Sequence, residues 1–154
     1  MEETSLQERY APSNICFGCG QANPDGLQLK SYVKGDLVVA AWEPASLYEA
    51  FPGILNGGII GALLDCHSNW TAAYHLMLSM GLNHPPCTVT SYFNVRLMRP
   101  TPSKYAVHLC GKVVEIQSDR AKIYSELFSE DTLCASCEGL FVAVKPGHPA
   151  YHRW

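Results

Sequence analysis

The chain has 154 residues, of which 47% are hydrophobic and 16% are charged, and its net charge is −3. This length suits one domain with a sizeable core and leaves no room for a second. Proteins that bind nucleic acid through its phosphates need a clustered positive face, and this chain carries a slight acidic excess instead. The composition therefore favours a single globular domain that does not bind nucleic acid.

The N-terminal segment MEETSLQERY is polar and acidic, and it has neither the basic start nor the apolar centre of a secretion signal. The sequence also lacks an uninterrupted apolar stretch of about 18 residues, so we expect no membrane partner. Its seven cysteines are an odd number, scattered along the chain, and indicate reduced thiols rather than a disulfide framework. These features predict a cytoplasmic protein.

Residues 1–26 form a predicted lead-in without clear periodicity, ending in the turn-rich segment CFGCGQANPDG. Two strand-like runs follow, at 27–33 and 36–43, and the short Lys34-Gly35 step between them predicts a hairpin. The first part of the chain thus contributes two neighbouring strands to a sheet.

A long helix is predicted over 59–80, where apolar residues fall on nearly every side of the helical wheel. Gly and Pro signals in GLNHPP end it, and four strands are predicted at 87–97, 105–117, 120–129 and 132–145. The isolated Gly139 within the last strand indicates a bulge or a close backbone approach. Residues 146–154 are a predicted tail.

A helix that is apolar all round must be wrapped by other elements. Two strands, one central helix and four further strands leave one economical packing, in which a curved antiparallel sheet of five to six strands wraps the helix. The predicted fold class is α+β, a single hotdog domain over residues 27–145.

Asn56-Gly57-Gly58 stands directly before the predicted helix. Asn is a favourable N-cap, and two glycines leave the first turn unshielded. The exposed N–H donors and the positive end of the helix dipole suit an oxyanion that forms on a thioester carbonyl. A plain capped helix is the alternative interpretation.

Asp65 lies within LLDCHS, in the middle of an otherwise apolar helix. It is either a structural carboxylate, bonded to backbone or to His67, or a nucleophile or general base. Asn69, one turn on, and Ser68 could orient it or hold an attacking water; ordinary polar helix residues are the alternative. Helical rise separates Gly57 from Asp65 by roughly 12 Å, so joint action on one carbonyl requires two subunits.

The stretch NGGIIGALLD resembles the hotdog acyl-CoA thioesterases of the phenylacetate-pathway (PaaI-like) type, whose pattern is HGG followed by an acidic residue two turns on. The resemblance extends to CFGCGQANPDGL, FPGILNGG, RLMRPTP and GLFVAV, and it covers most of residues 16–145. It implies that the Gly57 N–H polarises the thioester carbonyl while Asp65 of the facing subunit attacks it or activates water. Asn56 departs from the pattern, since such enzymes usually have His there.

The predicted catalytic residues are Asp65, Gly57, Asn56 and Asn69, and substrate-binding roles are predicted for Gly58 and Ser68. Glu49 resembles the position where some relatives place a second polar catalytic residue, with the spacing shifted by one. Arg96, Arg99 and Lys104 form a basic cluster suited to the phosphates of coenzyme A, although solvated surface charge is the alternative. Trp70 and Tyr74 are candidate walls of an acyl slot, or simply helix core.

No metal and no cofactor is expected, apart from coenzyme A as part of the substrate. The pairs Cys16/Cys19 and Cys134/Cys137 have zinc-ligand spacing but stand more than a hundred residues apart. In a regular strand, Cys134 and Cys137 would also face opposite sides of the sheet. The histidines show no spacing typical of metal ligands.

The sequence therefore predicts an acyl-CoA thioesterase that acts as a homodimer or a dimer of dimers. A non-catalytic acyl-CoA or lipid-binding hotdog protein is one alternative, because the usual His is replaced. A hydratase or dehydratase is another, but it needs a His that can move a proton at an acyl carbon, and none precedes Gly57.

Overall fold

The computed structural model describes residues 3–154 and contains one long helix, one short helix and eight strands. The helices are α1 (Leu6–Tyr10) and α2 (Gly57–Ser79). The strands are β1 (Tyr32–Lys34), β2 (Leu37–Trp42), β3 (Glu49–Phe51), β4 (Ile54–Leu55), β5 (Thr88–Leu97), β6 (Val107–Gln117), β7 (Arg120–Ser129) and β8 (Thr132–Ala143), with a 3₁₀ turn at Ser46–Tyr48.

Six strands form one antiparallel sheet in the order β1-β2-β6-β7-β8-β5. The remaining two, β3 and β4, pair with each other just ahead of α2. The helix α2 packs across β5, β6, β7 and β8. The α+β prediction is confirmed: the chain is a single hotdog domain with a six-stranded sheet around one long helix.

The helix α2 is buried along most of its length because its apolar side chains meet the sheet on one side and the N-terminal segment on another. Leu63, Leu64, Trp70 and Leu76 on the helix are fully buried. The sheet opposes them with equally buried side chains: Leu109, Ile123, Leu127 and Phe141. Burying each such side chain contributes roughly 1.5–3 kcal/mol to folding.

Polar residues on the buried faces of α2 are hydrogen-bonded. His67 contacts the hydroxyl of Ser31 through Nδ1 at 2.9 Å and donates from Nε2 to the carbonyl of Val38 at 2.8 Å. Ser31 is in turn bonded twice to Gln7 of α1. Complete burial lowers the pKa of His67 to about 4, so the ring is neutral at pH 7. This network ties α1 and β2 to the centre of α2.

The strand predicted at 27–33 is shorter in the structure, where β1 begins at Tyr32. Leu27 and Leu29 donate their N–H groups to Phe17 and Gly18 in the CFGCG loop instead of to a sheet neighbour. Gln28 between them has φ of 55°, which interrupts an extended strand. Residues 27–29, which the sequence pattern alone assigns to a strand, therefore pair with the CFGCG loop instead of with the sheet.

Sequence pattern alone does not predict the short elements α1, β3 and β4. A capping box between Ser5 and Glu8 starts α1, which follows the Asx/Ser-x-x-Glu pattern in TSLQE. Periodicity over five residues or fewer is too brief to reveal such elements. The predicted close approach at Gly139 is confirmed, because a Cβ there would lie 3.0 Å from the carbonyl oxygen of Tyr92.

The C-terminal segment packs on the domain. The indole ring of Trp154 stacks on that of Trp70 at 4.4 Å between ring centroids. Arg153 donates to the carbonyl of Thr88, and Trp154 donates to that of Pro85. Contacts thus cross both predicted boundaries of the hotdog domain, at residues 26–27 and 145–146. None of the helices in residues 3–154 combines the length and apolar content that crossing a membrane requires.

The point where β6 crosses α2 leaves no room for a side chain at Gly111. An added Cβ would lie 2.4 Å from Thr71 Oγ1 and 3.2 Å from Ser125 Oγ. We expect Gly111→Ala to lower the free energy of unfolding by about 1–3 kcal/mol, as overpacking does. Gly61→Ala is the control, since a Cβ there meets nothing within 4 Å and should leave stability unchanged or raise it. Urea unfolding of both variants measures the difference, and equal midpoints would contradict the prediction.

Candidate functional site

The start of α2 is capped as predicted from Asn56-Gly57-Gly58. The Asn56 side chain accepts hydrogen bonds from the N–H groups of Gly58 at 2.7 Å and Ile59 at 3.2 Å. The Gly57 N–H has no hydrogen-bond acceptor within residues 3–154. A free donor therefore stands at the positive end of the helix dipole.

Little space surrounds this donor. A Cβ at Gly57 would lie 2.9 Å from Leu97 Cδ1, and one at Gly58 would lie 2.9 Å from Asn56 Oδ1. Only glycine fits both positions without a shift of its neighbours. The end of β5, through Leu97, thus forms one wall beside the start of the helix.

Asp65 is partly buried and hydrogen-bonded to β5. The Thr90 hydroxyl donates to Asp65 Oδ1 at 2.7 Å. His67, the alternative structural partner of Asp65 predicted from the sequence, is instead hydrogen-bonded to Ser31 and to the carbonyl of Val38. The carboxylate therefore keeps its second oxygen available, within reach of a ligand or water at the edge of the helix.

The environment of Asp65 raises the pKa of its carboxyl group. Burial is the largest cause, and the nearby Cys16 adds to it. The Thr90 hydrogen bond and the Arg153 guanidinium act in the opposite direction. A carboxylate with a raised pKa is a stronger base than one in water, which suits proton abstraction.

The face of α2 that carries Asp65 has small residues on its N-terminal side. Gly58, Gly61 and Ala62 precede it by seven, four and three positions, which places them on the same helix face. These positions are exposed or only partly buried, unlike the neighbouring Leu63, Leu64 and Cys66. The structure therefore leaves room beside the carboxylate along the surface of α2.

Asn69 and Ser68, predicted beside Asp65, are both buried. Asn69 Oδ1 accepts from the Thr88 hydroxyl at 2.6 Å. The Ser68 hydroxyl lies 2.7 Å from that of Ser125 on β7, inside the contact between helix and sheet. Asn69 thus extends the line of helix-to-β5 bonds begun by Asp65, whereas Ser68 faces the sheet and not the surface that carries Asp65.

Glu49 stands at the start of β3 and closes the turn before α2. Its carboxylate accepts from the Gly53 N–H at 2.7 Å and from the Ser103 hydroxyl. The same region is joined to the chain after β5 by the bond from Leu55 N to the Thr101 carbonyl. Glu49 thereby helps to fix the segment that leads into Asn56.

The basic residues are divided between two surfaces. Arg96 lies near Tyr124, on the face of the sheet away from α2. Arg99 and Lys104 belong to the exposed segment after β5, where Lys104 lies over the Tyr105 ring at 4.8 Å. None of the three has an ion pair within residues 3–154. Only Arg99 and Lys104 lie in the segment that runs past the start of α2.

The candidate acyl-slot residues have different environments. Trp70 is fully buried under Trp154, so it is helix core. Tyr74 is partly buried and lines a cavity of about 460 Å³ with Arg9, Tyr10 and Tyr32. A second cavity of about 780 Å³ lies over β2 and β6. Neither cavity includes Asp65 or Gly57, so within one protomer the candidate catalytic groups lie outside these spaces.

Sequence reasoning missed the residues that contact Asp65 from other elements. Thr90 lies 25 positions away, and Arg153 lies at the end of the chain. Neither has a local pattern that marks it. The strand predicted at 87–97 contains Thr90 and would lie against the helix. Which residue of that strand contacts Asp65 depends on the register of β5 against α2, which the sequence does not give. Cys66, which meets Cys16 and Cys19, was likewise missed.

Known structures support the fold. The chain aligns with a thioesterase superfamily protein from Shewanella loihica PV-4 with 28% identity and a TM-score of 0.65, covering 76% of this chain and 91% of that one. The resemblance to thioesterase superfamily proteins is confirmed. A phenylacetic acid degradation-related protein from Ralstonia eutropha JMP134 shares the fold at 14% identity, with a TM-score of 0.64 and coverage of 76% and 86%.

Another thioesterase superfamily protein has 20% identity and a TM-score of 0.67, and the alignment covers 92% of this chain and 68% of that one. No protein-family model matches the sequence, and a search of curated proteins finds no match. The similarity thus rests on three-dimensional structure more than on sequence.

The cap at Asn56 is testable by stability alone. We expect Asn56→Ala to lower the free energy of unfolding by about 1 kcal/mol, because the N–H groups of Gly58 and Ile59 lose their acceptor. Asn56→Ser should retain most of the stability, since a hydroxyl oxygen can replace the amide oxygen. Thermal or urea unfolding distinguishes the two variants. Equal stability of Asn56→Ala and the wild type would show that the cap contributes nothing.

Proposed function

We propose that the protein hydrolyses acyl-CoA thioesters to the free acid and coenzyme A. The observation that carries the proposal is the pairing of a free N–H donor at Gly57 with a partly buried carboxylate at Asp65, held by Thr90. The similarity to thioesterase superfamily structures supports the same reaction class. The fully bonded, buried His67 is no proton carrier, which disfavours the hydratase alternative.

In the proposed reaction, the thioester carbonyl oxygen accepts a hydrogen bond from the Gly57 N–H. Negative charge develops on that oxygen as the carbonyl carbon is attacked, and the donor and helix dipole stabilise it. Asp65 either removes a proton from the attacking water or attacks the carbon itself, giving an anhydride that water then cleaves. In both routes the C–S bond breaks, and the departing sulfur of coenzyme A takes a proton.

The two groups must come from different subunits. Both lie on α2, eight residues apart, and helical rise separates them by roughly 12 Å. An oxyanion donor has to lie within about 3 Å of the carbonyl oxygen. A two-fold dimer can bring the Gly57 end of one helix to Asp65 of the other, because symmetry generates two identical composite sites.

The strand β5 offers the surface for such a dimer. It is the last strand of the sheet, and within residues 3–154 its outer edge has no partner. Its ten residues include the exposed side chains of Tyr92, Phe93 and Leu97. A long apolar strand edge of this kind readily pairs with another copy.

The contacts between α2 and β5 define the register that this dimer needs. Leu97 lies beside Gly57, and Thr90 binds Asp65, so the strand and helix run in opposite directions. Antiparallel pairing of two β5 strands about a two-fold axis at Phe93, which sets Phe93 opposite the same residue of the partner, would bring Thr90 to within one residue of the partner's Leu97. That register places each Asp65 on the side of the partner's Gly57, as the reaction requires.

Arg99 and Lys104 are the proposed contacts for the phosphates of coenzyme A. Both are exposed in the segment after β5, which is bonded to β4 immediately before Asn56. A thioester whose carbonyl lies at Gly57 would extend its coenzyme A part toward this end of the helix. Arg96, on the far face of the sheet, is not part of the proposed site.

The first experiment follows thiol release from a panel of acyl-CoA and aryl-CoA thioesters. We expect turnover by the wild type and a fall in kcat of about 10²–10⁴-fold for Asp65→Asn, as expected for loss of a general base. Asp131→Asn in the exposed turn between β7 and β8 is the matched control. Binding of coenzyme A thioesters without turnover by the wild type would favour the non-catalytic alternative.

Thr90 serves in the same assay as a positioning residue. Thr90→Val removes the hydrogen bond to Asp65 and should lower kcat about tenfold with little change in KM. Thr90→Ser keeps a hydroxyl and should recover most of the loss. A purely structural role would predict equal loss in both variants.

The two-subunit site predicts subunit complementation. Chains carrying Asp65→Asn and Gly57→Val, each inactive alone, are purified together as a doubly tagged heterodimer. One of its two sites then combines an intact Gly57 with an intact Asp65, so about half of the wild-type activity should return.

The inverse heterodimer is the control, with both substitutions on one chain and a wild-type partner. It should be inactive, because each composite site lacks one group. If instead the inverse heterodimer is half active and the first is inactive, Gly57 and Asp65 act within one chain and the proposed dimer site is wrong.

A further inference from the structure

Three cysteine sulfurs from distant parts of the chain meet beside α2. Cys16 and Cys19 come from the CFGCG loop, and Cys66 comes from the helix. Their Sγ atoms all lie within 4.8 Å of one another, and those of Cys16 and Cys66 are 3.7 Å apart. Two thiolates on a tetrahedral zinc ion, with Zn–S bonds of about 2.3 Å, have sulfurs about 3.8 Å apart. The separation of 3.7 Å between the sulfurs of Cys16 and Cys66 matches that geometry.

Glycines allow the loop and the helix to approach this closely. A Cβ at Gly18 would lie 2.4 Å from Cys66 Sγ. One at Gly20 would lie 2.4 Å from Cys16 N and 2.5 Å from Cys16 O. The turn is closed by the bond from Gly20 N to the Cys16 carbonyl at 2.7 Å. Both glycines are therefore required for the three sulfurs to share one site.

A buried hydrogen-bond donor without a partner among the described residues lies beside the cluster. Trp70 is fully buried, and its indole N–H has no hydrogen-bond partner of ordinary geometry within residues 3–154. That N–H lies close enough to Cys19 to act on its sulfur. A buried donor beside a sulfur is satisfied once the sulfur becomes a metal-bound thiolate.

We propose that Cys16, Cys19 and Cys66 bind a zinc ion through three thiolates. Cys19 and Cys66 are buried, whereas Cys16 is only partly so, and the fourth coordination position lies on its open side, where water completes a tetrahedron. Binding releases the protons that remain on the thiols and leaves no sulfur oxidised. The ion would clamp the N-terminal loop to α2 directly beside Asp65.

The remaining cysteines provide matched controls within the same chain. Cys134 is buried like Cys19 and Cys66, and it also belongs to a Cys-x-x-Cys pair, but it is not part of the three-sulfur cluster. Gly18→Ala changes no ligand yet obstructs Cys66 Sγ. If the metal binds at the cluster, Gly18→Ala should weaken its binding and Cys134→Ser should leave the affinity unchanged.

The test uses the full chain, produced with zinc in the medium and purified under reducing conditions without chelator. Elemental analysis should give about one zinc per chain for the wild type and for Cys134→Ser. Competition with a chromophoric chelator should show binding more than about 100-fold weaker for Cys66→Ser, since loss of an outer-shell partner alone costs 10–100-fold. Gly18→Ala should also bind more weakly. Titration with Co²⁺ should give a thiolate-to-cobalt charge-transfer band that Cys66→Ser lacks.

Circular dichroism of each variant separates loss of metal from loss of fold. If Cys66→Ser does not fold, Gly18→Ala still tests the site, because it retains all three ligands. Absence of zinc and of the cobalt band in reduced wild-type protein would overturn the proposal. Equal loss in Cys134→Ser would do the same. Intact-mass analysis that finds a Cys16–Cys66 disulfide in place of bound metal would assign the cluster to redox chemistry instead. These readouts do not depend on thioester hydrolysis.

Discussion

The structure depends on one constraint: the side chains of α2 are apolar on nearly every side, so other elements must pack against them. One stripe of the helix is left only partly buried. The six-stranded sheet covers the largest part, and the N-terminal lead-in and the C-terminal Trp154 cover further sides. Polar side chains that enter these contacts, such as His67 and Ser68, are satisfied by bonds to other elements because unpaired buried groups would destabilise the fold. The uncovered stripe is the one that contains Asp65.

This arrangement explains how a carboxylate persists on an apolar helix. Asp65 lies at the border between the buried faces and the open stripe, where Thr90 donates to one of its oxygens and the other stays accessible. Partial burial raises its pKa without removing it from contact with a ligand. The same strand that supplies Thr90 carries the exposed apolar edge, which links the proposed chemistry to the proposed dimer. Site and oligomer therefore depend on the register of β5.

The CFGCG loop has a structural role that its composition does not reveal. It takes the N–H groups of Leu27 and Leu29 away from the sheet and brings Cys16 and Cys19 to Cys66. The cysteine pair at 134 and 137 has the same spacing but lies in β8, away from that cluster. Equal spacing thus leads to different environments, because one pair occupies a tight turn and the other an extended strand. The sequence-based expectation of no metal considered only the two Cys-x-x-Cys pairs. Cys66 belongs to neither pair, although it lies beside Cys16 and Cys19 in the structure.

The long helix, the four strands that follow it and their packing class can be predicted from the sequence alone. The long apolar run set α2, alternating runs set the strands after it, and Asn56-Gly57-Gly58 set the start of the helix, because these signals are local in the chain. Only the tertiary structure decided what lies beside Asp65 and which cysteines meet, since Thr90, Arg153 and Cys16 approach α2 from distant segments. Their positions follow from strand register and loop path, which long-range hydrogen bonds fix and local periodicity does not encode.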